Sequence, residues 1–179
     1  VVADGPCPDK YGEAEKCQAT REIIKRVDWD CEVLTNYSDV NLGCKKRVSS
    51  GLDWVFENVE EAIILEDDCL PHPSFFPFCE ELLDFYKDDN RIAVISGQNV
   101  QLGRKRTDYS YYFSRYNHCW GWASWRRAWQ HFDYEMKLWP LVRENGRLKD
   151  ILKDVSSVKF WTQIFQNTYD GKINSWAYR

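Results

Sequence analysis

The sequence predicts an α/β protein built on a mostly parallel, doubly wound sheet. Three observations predict it. Short apolar runs end abruptly in turn residues or acids, as buried parallel strands do. Amphipathic stretches of helical period lie between those runs. Up to residue 100 the two kinds alternate from strand to helix to strand, the rhythm of crossover connections. Bulk properties agree. The chain has 179 residues, 44% hydrophobic and 16% aromatic, which is ample for one core and too apolar for disorder. A formal net charge of −4 argues against a nucleic-acid partner or an anionic membrane surface. No apolar run approaches the length of a transmembrane helix.

Val1-Val2-Ala3-Asp4-Gly5-Pro6 reads as the tail of a strand running into a turn. Residue 1 is not Met, and the chain stops at Ala177-Tyr178-Arg179 without a polar tail. Both ends are therefore expected to be cut from a longer chain. Residues 9–27 follow as a helix through Ala14, Cys17, Ile24 and Val27, with Arg21 breaking the stripe. Residues 28–37 alternate as a strand at Cys31, Val33 and Thr35. Asn41-Leu42-Gly43 signals a turn. Val48, Leu52, Val55, Phe56 and Val59 then mark the buried face of a second helix.

Ala62-Ile63-Ile64-Leu65 is a strand, and Glu66-Asp67-Asp68 sits at its carboxyl end. Pro71 and Pro73 stiffen the exit. Phe75, Phe78, Cys79, Leu82, Leu83 and Tyr86 form a third helical stripe, with Ser74 as N-cap and Pro77 in the first turn. Residues 92–96 read as a strand and 97–99 as its loop. After Gly103 the rhythm changes. Residues 109–114 are a Tyr- and Phe-rich strand candidate, residues 124–132 a short helix, and residues 157–169 a longer one stopped by Gly171. The chain is expected to form one domain over 1–179, with the half after residue 100 doing a different job. Seven cysteines, at 7, 17, 31, 44, 69, 79 and 119, show no C-x-x-C spacing. A reducing, cytoplasmic location is the simpler expectation, and a secreted protein with some bridges is the alternative.

Three stretches carry chemistry. Consecutive carboxylates on a rigid strand end repel one another, and a hard divalent cation, Mg²⁺ or Mn²⁺, offsets that repulsion. The competing reading is a solvated acidic turn. Lys45, Lys46 and Arg47 open a helix, where backbone N–H groups and cations can hold a diphosphate; a solvated basic turn competes evenly. Trp120-Gly121-Trp122 offers flat rings for a sugar face, against a tryptophan-rich core corner. Asp4 reads first as an Asp-Gly turn, and His118 first as a hydrogen-bonded side chain. There is no G-x-S-x-G elbow, P-loop or G-x-G-x-x-G.

On these residues the chain resembles the metal-dependent nucleotide-sugar glycosyltransferases of the GT-A fold. More narrowly, it is similar to bacterial relatives of N-acetylglucosaminyltransferase I and family 2 glycosyltransferases. The matching positions are Ala3-Asp4-Gly5-Pro6, Asn41-Leu42-Gly43-Cys44, Ile63 to Asp68, Pro73-Ser74-Phe75-Phe76, Ile95-Ser96-Gly97 and Trp120-Gly121-Trp122-Ala123. The resemblance implies a three-layer α/β/α, Rossmann-like fold. Residues 1–100 would bind a UDP- or GDP-sugar and residues 101–179 would face the acceptor. Asp68 would ligate the metal on the donor diphosphate, and Asp67 would share it or meet the ribose. Glu66 would orient the set and Asp4 would approach the nucleoside. Lys46 or Arg47 would face the diphosphate, although neither falls on the family 2 spacing. Trp120, Gly121 and Trp122 would line the donor sugar or acceptor. A sugar would move to an acceptor hydroxyl with inversion, which needs a carboxylate base. The position where relatives carry an Asp after a Trp is Ala177 here, following Trp176, and Asp170 is the substitute. A binding module without turnover is the alternative, and a metal-dependent phosphohydrolase or nucleotidyltransferase comes third.

Overall fold

The computed structural model describes residues 1–178 and groups the chain into two units, Val1–Leu52 with Asp133–Arg179, and Asp53–Phe132. Neither boundary falls near residue 100. The chain is α/β, with helices and two small sheets, one parallel and one antiparallel.

In the first unit, β1 (Val2–Ala3) pairs in parallel with β2 (Asn36–Tyr37), Val2 opposite Asn36. The strand expected over residues 28–37 is thus cut to its last two residues. Its alternation finds no cover, and Val33 and Leu34 stay exposed. Helix α1 (Glu13–Ile23) starts after Gly12, whose φ of 73° suits glycine, and passes into a 3₁₀ turn at Ile24–Arg26. It buries no residue. Arg21, which interrupts its stripe, is what ties it down. That guanidinium donates to the carbonyls of Asp4 (2.9 Å) and Ser38 (2.6 Å).

Helix α2 (Gly43–Asn58) runs from the first unit into the second. In the second unit follow β3 (Glu61–Ile64), α3 (Phe75–Tyr86), β4 (Val94–Ser96), β5 (Trp122–Trp125) and α4 (Arg126–Trp129). The three strands lie in the order β3-β5-β4, and both pairings are antiparallel. This corrects the mostly parallel sheet. β3 and β4, joined through α3, run the same way, but β5 is inserted between them. Trp122-Ala123-Ser124-Trp125 is buried at every position, as a central strand must be. The short helix expected over residues 124–132 therefore shrinks to α4. Phe75, Cys79, Leu82 and Leu83 of α3 pack with Ile95, Ala123 and Trp125 into one core. Residues 109–114 form no strand; Tyr111 instead packs on that core and its hydroxyl lies 2.8 Å from that of Tyr86. Ser74 occupies the N-cap position of α3, but its hydroxyl meets His72 Nδ1 at 2.8 Å instead of capping the helix.

Returning to the first unit, α5 (Trp139–Glu144), α6 (Leu148–Leu152) and α7 (Val155–Tyr169) enclose Met136, Trp139 and Leu148. α7 starts two residues before the expected helix. Asp154 caps it, accepting from the Ser157 N–H and the Ser156 hydroxyl, and these bonds hold its carboxyl down at about 2. Gly171, at φ 73°, ends the helix as expected. Among the described residues no helix is long and apolar enough to cross a membrane. Among the described residues no cysteine is in a disulfide.

Candidate functional site

Strand register brings three chain segments to one end of the second unit's sheet. Ile64, the last residue of β3, and Ser96, the last of β4, both pair with Trp122, the first of β5. The Glu66 turn, the loop after Ser96 and the approach through Cys119, Trp120 and Gly121 therefore leave the sheet side by side. The Gly97 N–H donates to the Gly121 carbonyl at 2.8 Å. Gly97 is there because a side chain would overlap the Phe75 ring. Gly121 is there because its φ is +69°.

The acids form a tight turn. The Cys69 N–H returns to the Glu66 carbonyl at 3.0 Å, which puts Asp67 and Asp68 at the exposed corner. Glu66 turns inward. Its Oε1 is buried and has no hydrogen-bond partner. Burial first, then Asp68 and Asp67, push the Glu66 carboxyl above the ordinary carboxylate range. The same neighbourhood acts on Cys119, whose thiol is pushed up by burial, then Glu66, with Cys69 and Asp68 adding to it. Cys69 and Cys119 were not singled out from sequence. The signal was their position, since each adjoins one of the two unusual motifs.

The turn supplies oxygen donors, the ligand type that a hard cation takes. It offers several carboxylate oxygens, one of them buried without a partner. Among the described residues no group of three or more His, Cys, Asp and Glu side chains is arranged to hold a metal by itself. A cation held here by Asp67 and Asp68 would thus draw its remaining ligands from water or from a phosphate-bearing substrate. Trp120 is exposed and Trp122 is 4% exposed. Trp120 is the ring free to stack; Trp122 lies in the sheet core, 6.5 Å from the Trp129 ring.

The remaining candidates lie in the first unit, where Asp4, Arg47 and Asp170 make hydrogen bonds, although Arg47 Nε is buried without one. One Asp4 oxygen accepts the N–H groups of Gly5 (2.9 Å) and Leu42 (2.8 Å), and the other accepts that of Gly43 (2.9 Å). Asp4 is therefore a clamp on the opening of α2, where orphan N–H groups and the helix dipole favour an anion. Arg47 is 8% exposed and donates to the Asn36 carbonyl (2.5 Å) and Oδ1 (2.6 Å), holding β2 to α2. Lys46 is exposed, while Lys45 sits over the Tyr134 ring at 4.1 Å. Asp170 caps the C-terminus of α7. It accepts from Gln166 Nε2 at 2.7 Å and pairs with Lys172 at 3.3 Å, so both its oxygens are occupied.

No family model matches the chain, and neither a curated protein nor a solved structure matches it. The fold is that of an α/β protein with a three-stranded antiparallel sheet and an acidic turn at one end of it.

Proposed function

We propose that this chain is a metal-dependent glycosyltransferase of the GT-A kind, moving a sugar from a UDP- or GDP-sugar to an acceptor hydroxyl. One observation carries the reading: Glu66, Asp67 and Asp68 crowd one turn, and Glu66 Oε1 is buried without a partner. A site that lacks positive charge is completed by a cation and, through the cation, by a diphosphate. A bound Mn²⁺ or Mg²⁺ would supply charge stabilisation for the departing nucleoside diphosphate. Asp68 and Asp67 would hold it, and Glu66, partly buried beside them, would orient the set. Trp120 would present its exposed face to sugar C–H groups on the same end of the sheet.

A second reading has its own support. Both Asp170 oxygens are engaged and Trp176 is followed by Ala177. A chain without a free carboxylate base would bind the donor and not turn it over. The two separate in one assay. UDP- and GDP-sugars with Mn²⁺ and a panel of hydroxyl acceptors are followed for release of nucleoside diphosphate. Release that stops with EDTA and in Asp68→Ala supports the transferase. Donor binding without release selects the binding module. Absence of both, in folded protein, removes the two readings together.

A further inference from the structure

A second aromatic surface lies in the second unit, at the other end of α3 from the acidic turn. Tyr86 ends α3, about 16 Å along the helix from Phe75, which lies against Gly97 and Gly121. Four rings meet at Tyr86. It stands edge-on to Phe85 (centroids 4.8 Å apart), Tyr111 (6.5 Å) and Phe113 (6.0 Å), and Tyr111 stands edge-on to Phe113 (5.9 Å). Tyr86 and Tyr111 pack on the α3 core and so anchor the two outer rings. Phe85 is 72% exposed and Phe113 67%. Tyr109 and Tyr112, on the same segment as Phe113, are exposed as well. Exposed aromatic area of this extent, set on a fixed base, marks a binding surface.

Two features say what it takes. The first is hydroxyl groups. The Tyr86 and Tyr111 oxygens share one hydrogen bond at 2.8 Å. That bond uses one of their two O–H protons, which leaves the other, and spare lone pairs, for a partner that both donates and accepts. Ser110 and Ser114 are exposed on the same segment. The second is charge. Residues 109–114 carry none. Among the charges that flank the rings in sequence, Lys87 pairs with Asp84 (3.0 Å), Arg91 with Asp89 (2.6 Å) and Lys105 with Asp108 (2.8 Å). Asp88 and Arg115, one of each sign, make no ion pair among the described residues. The surface thus has no excess of either charge with which to attract an ionic partner.

We propose that Phe85, Tyr86, Tyr111 and Phe113 form a docking surface for a neutral oligosaccharide, separate from the acidic turn. Phe85 and Phe113 cover sugar C–H faces, and the Tyr86–Tyr111 pair exchanges hydrogen bonds with sugar hydroxyls. Because the inner two rings are held by the core, little ordering is needed when the sugar arrives.

Maltohexaose, cellohexaose and chitohexaose are titrated calorimetrically into the full chain in EDTA. No metal or nucleotide takes part, so failure here leaves the transferase reading standing. At least one of the three is expected to bind. Phe85→Ala and Phe113→Ala, at exposed positions, should each weaken that binding about tenfold while the thermal melt stays in place. Tyr111→Phe keeps the ring, removes the hydroxyl and should weaken it less. No binding of any of the three by folded protein, or binding unchanged when Phe85→Ala and Phe113→Ala are combined, would overturn the proposal. So would a parent chain that sediments as a dimer beside a combined variant that sediments as a monomer, because the rings would then join two copies of the chain.

Discussion

Two charged clusters in this chain invite the same reading and come out differently. At the opening of α2, Asp4, Arg21 and Arg47 bond mostly to backbone groups, although the Nε of each arginine is buried without a hydrogen-bond partner. Asp4 takes three N–H groups, and the two arginines take carbonyls of Asp4, Ser38 and Asn36. At the end of β3, Asp67 and Asp68 stand exposed at the corner of the turn, and the buried Oε1 of Glu66 has no hydrogen-bond partner. The contrast is sharpest between the carboxylates: Asp4, whose oxygens take three N–H groups, holds the fold together. Glu66, with a buried oxygen left open, is the carboxylate whose role the proposed ligand would explain.

Substitutions should separate the clusters along that line. The largest effect is expected at Gly5, beside the Asp4 clamp. An added Cβ would stand 2.5 Å from the backbone N and C of Val40, which cannot step aside. Gly5→Ala should cost about 3 kcal/mol or prevent folding of this unit, as read by urea denaturation. Asp4→Ala leaves the Leu42 and Gly43 N–H groups without their acceptor and should cost about 2 kcal/mol, with Asp4→Asn recovering part of it. A neutral result for Asp4→Ala would break the contrast, because the carboxylate would then be free for a ligand.

Glu66 gives a smaller, pH-dependent effect. Its carboxyl is raised above the ordinary 4.5 by burial, then by Asp68 and Asp67. The folded protein therefore holds this proton more tightly than the unfolded chain does. The resulting stability is fully present below the unfolded value and is lost as pH rises through the folded value. Glu66→Gln is neutral throughout and escapes that loss. In thermal melts without metal it should be more stable than the parent at neutral pH and equal to it below about pH 4. The smallest stability change belongs to Asp68→Ala, within about 0.5 kcal/mol because the side chain is exposed. The same variant should nonetheless lose all metal-dependent ligand binding, which sharpens the comparison from the other side.

The sequence made some of this legible and hid the rest for identifiable reasons. Ile63 and Ile64 before three acids showed β3 and its carboxyl end, since an apolar run stopped by charge is a local signal. The α3 stripe and the Gly171 stop were legible in the same way. β5 was not. Trp122-Ala123-Ser124-Trp125 carries no alternation because the strand is covered on both faces, and its partners lie about sixty and thirty residues back. The strand expected over residues 109–114 failed because only Tyr111 of that run finds a core to enter. The engagement of Asp4 was hidden by distance in sequence, since its partners at Leu42 and Gly43 meet it only once β1 and α2 are assembled. Arg21 was visible as a break in a stripe, but the carbonyls that explain it were not.

The most direct measurement is calorimetric titration of UDP and of GDP into the folded protein, with Mn²⁺ and then with EDTA, in the parent chain and in Asp68→Ala. The account expects one nucleotide to bind only with the metal and only when Asp68 is present. Equal binding with EDTA or in Asp68→Ala, or no binding by either nucleotide, would contradict a metal-completed acidic turn.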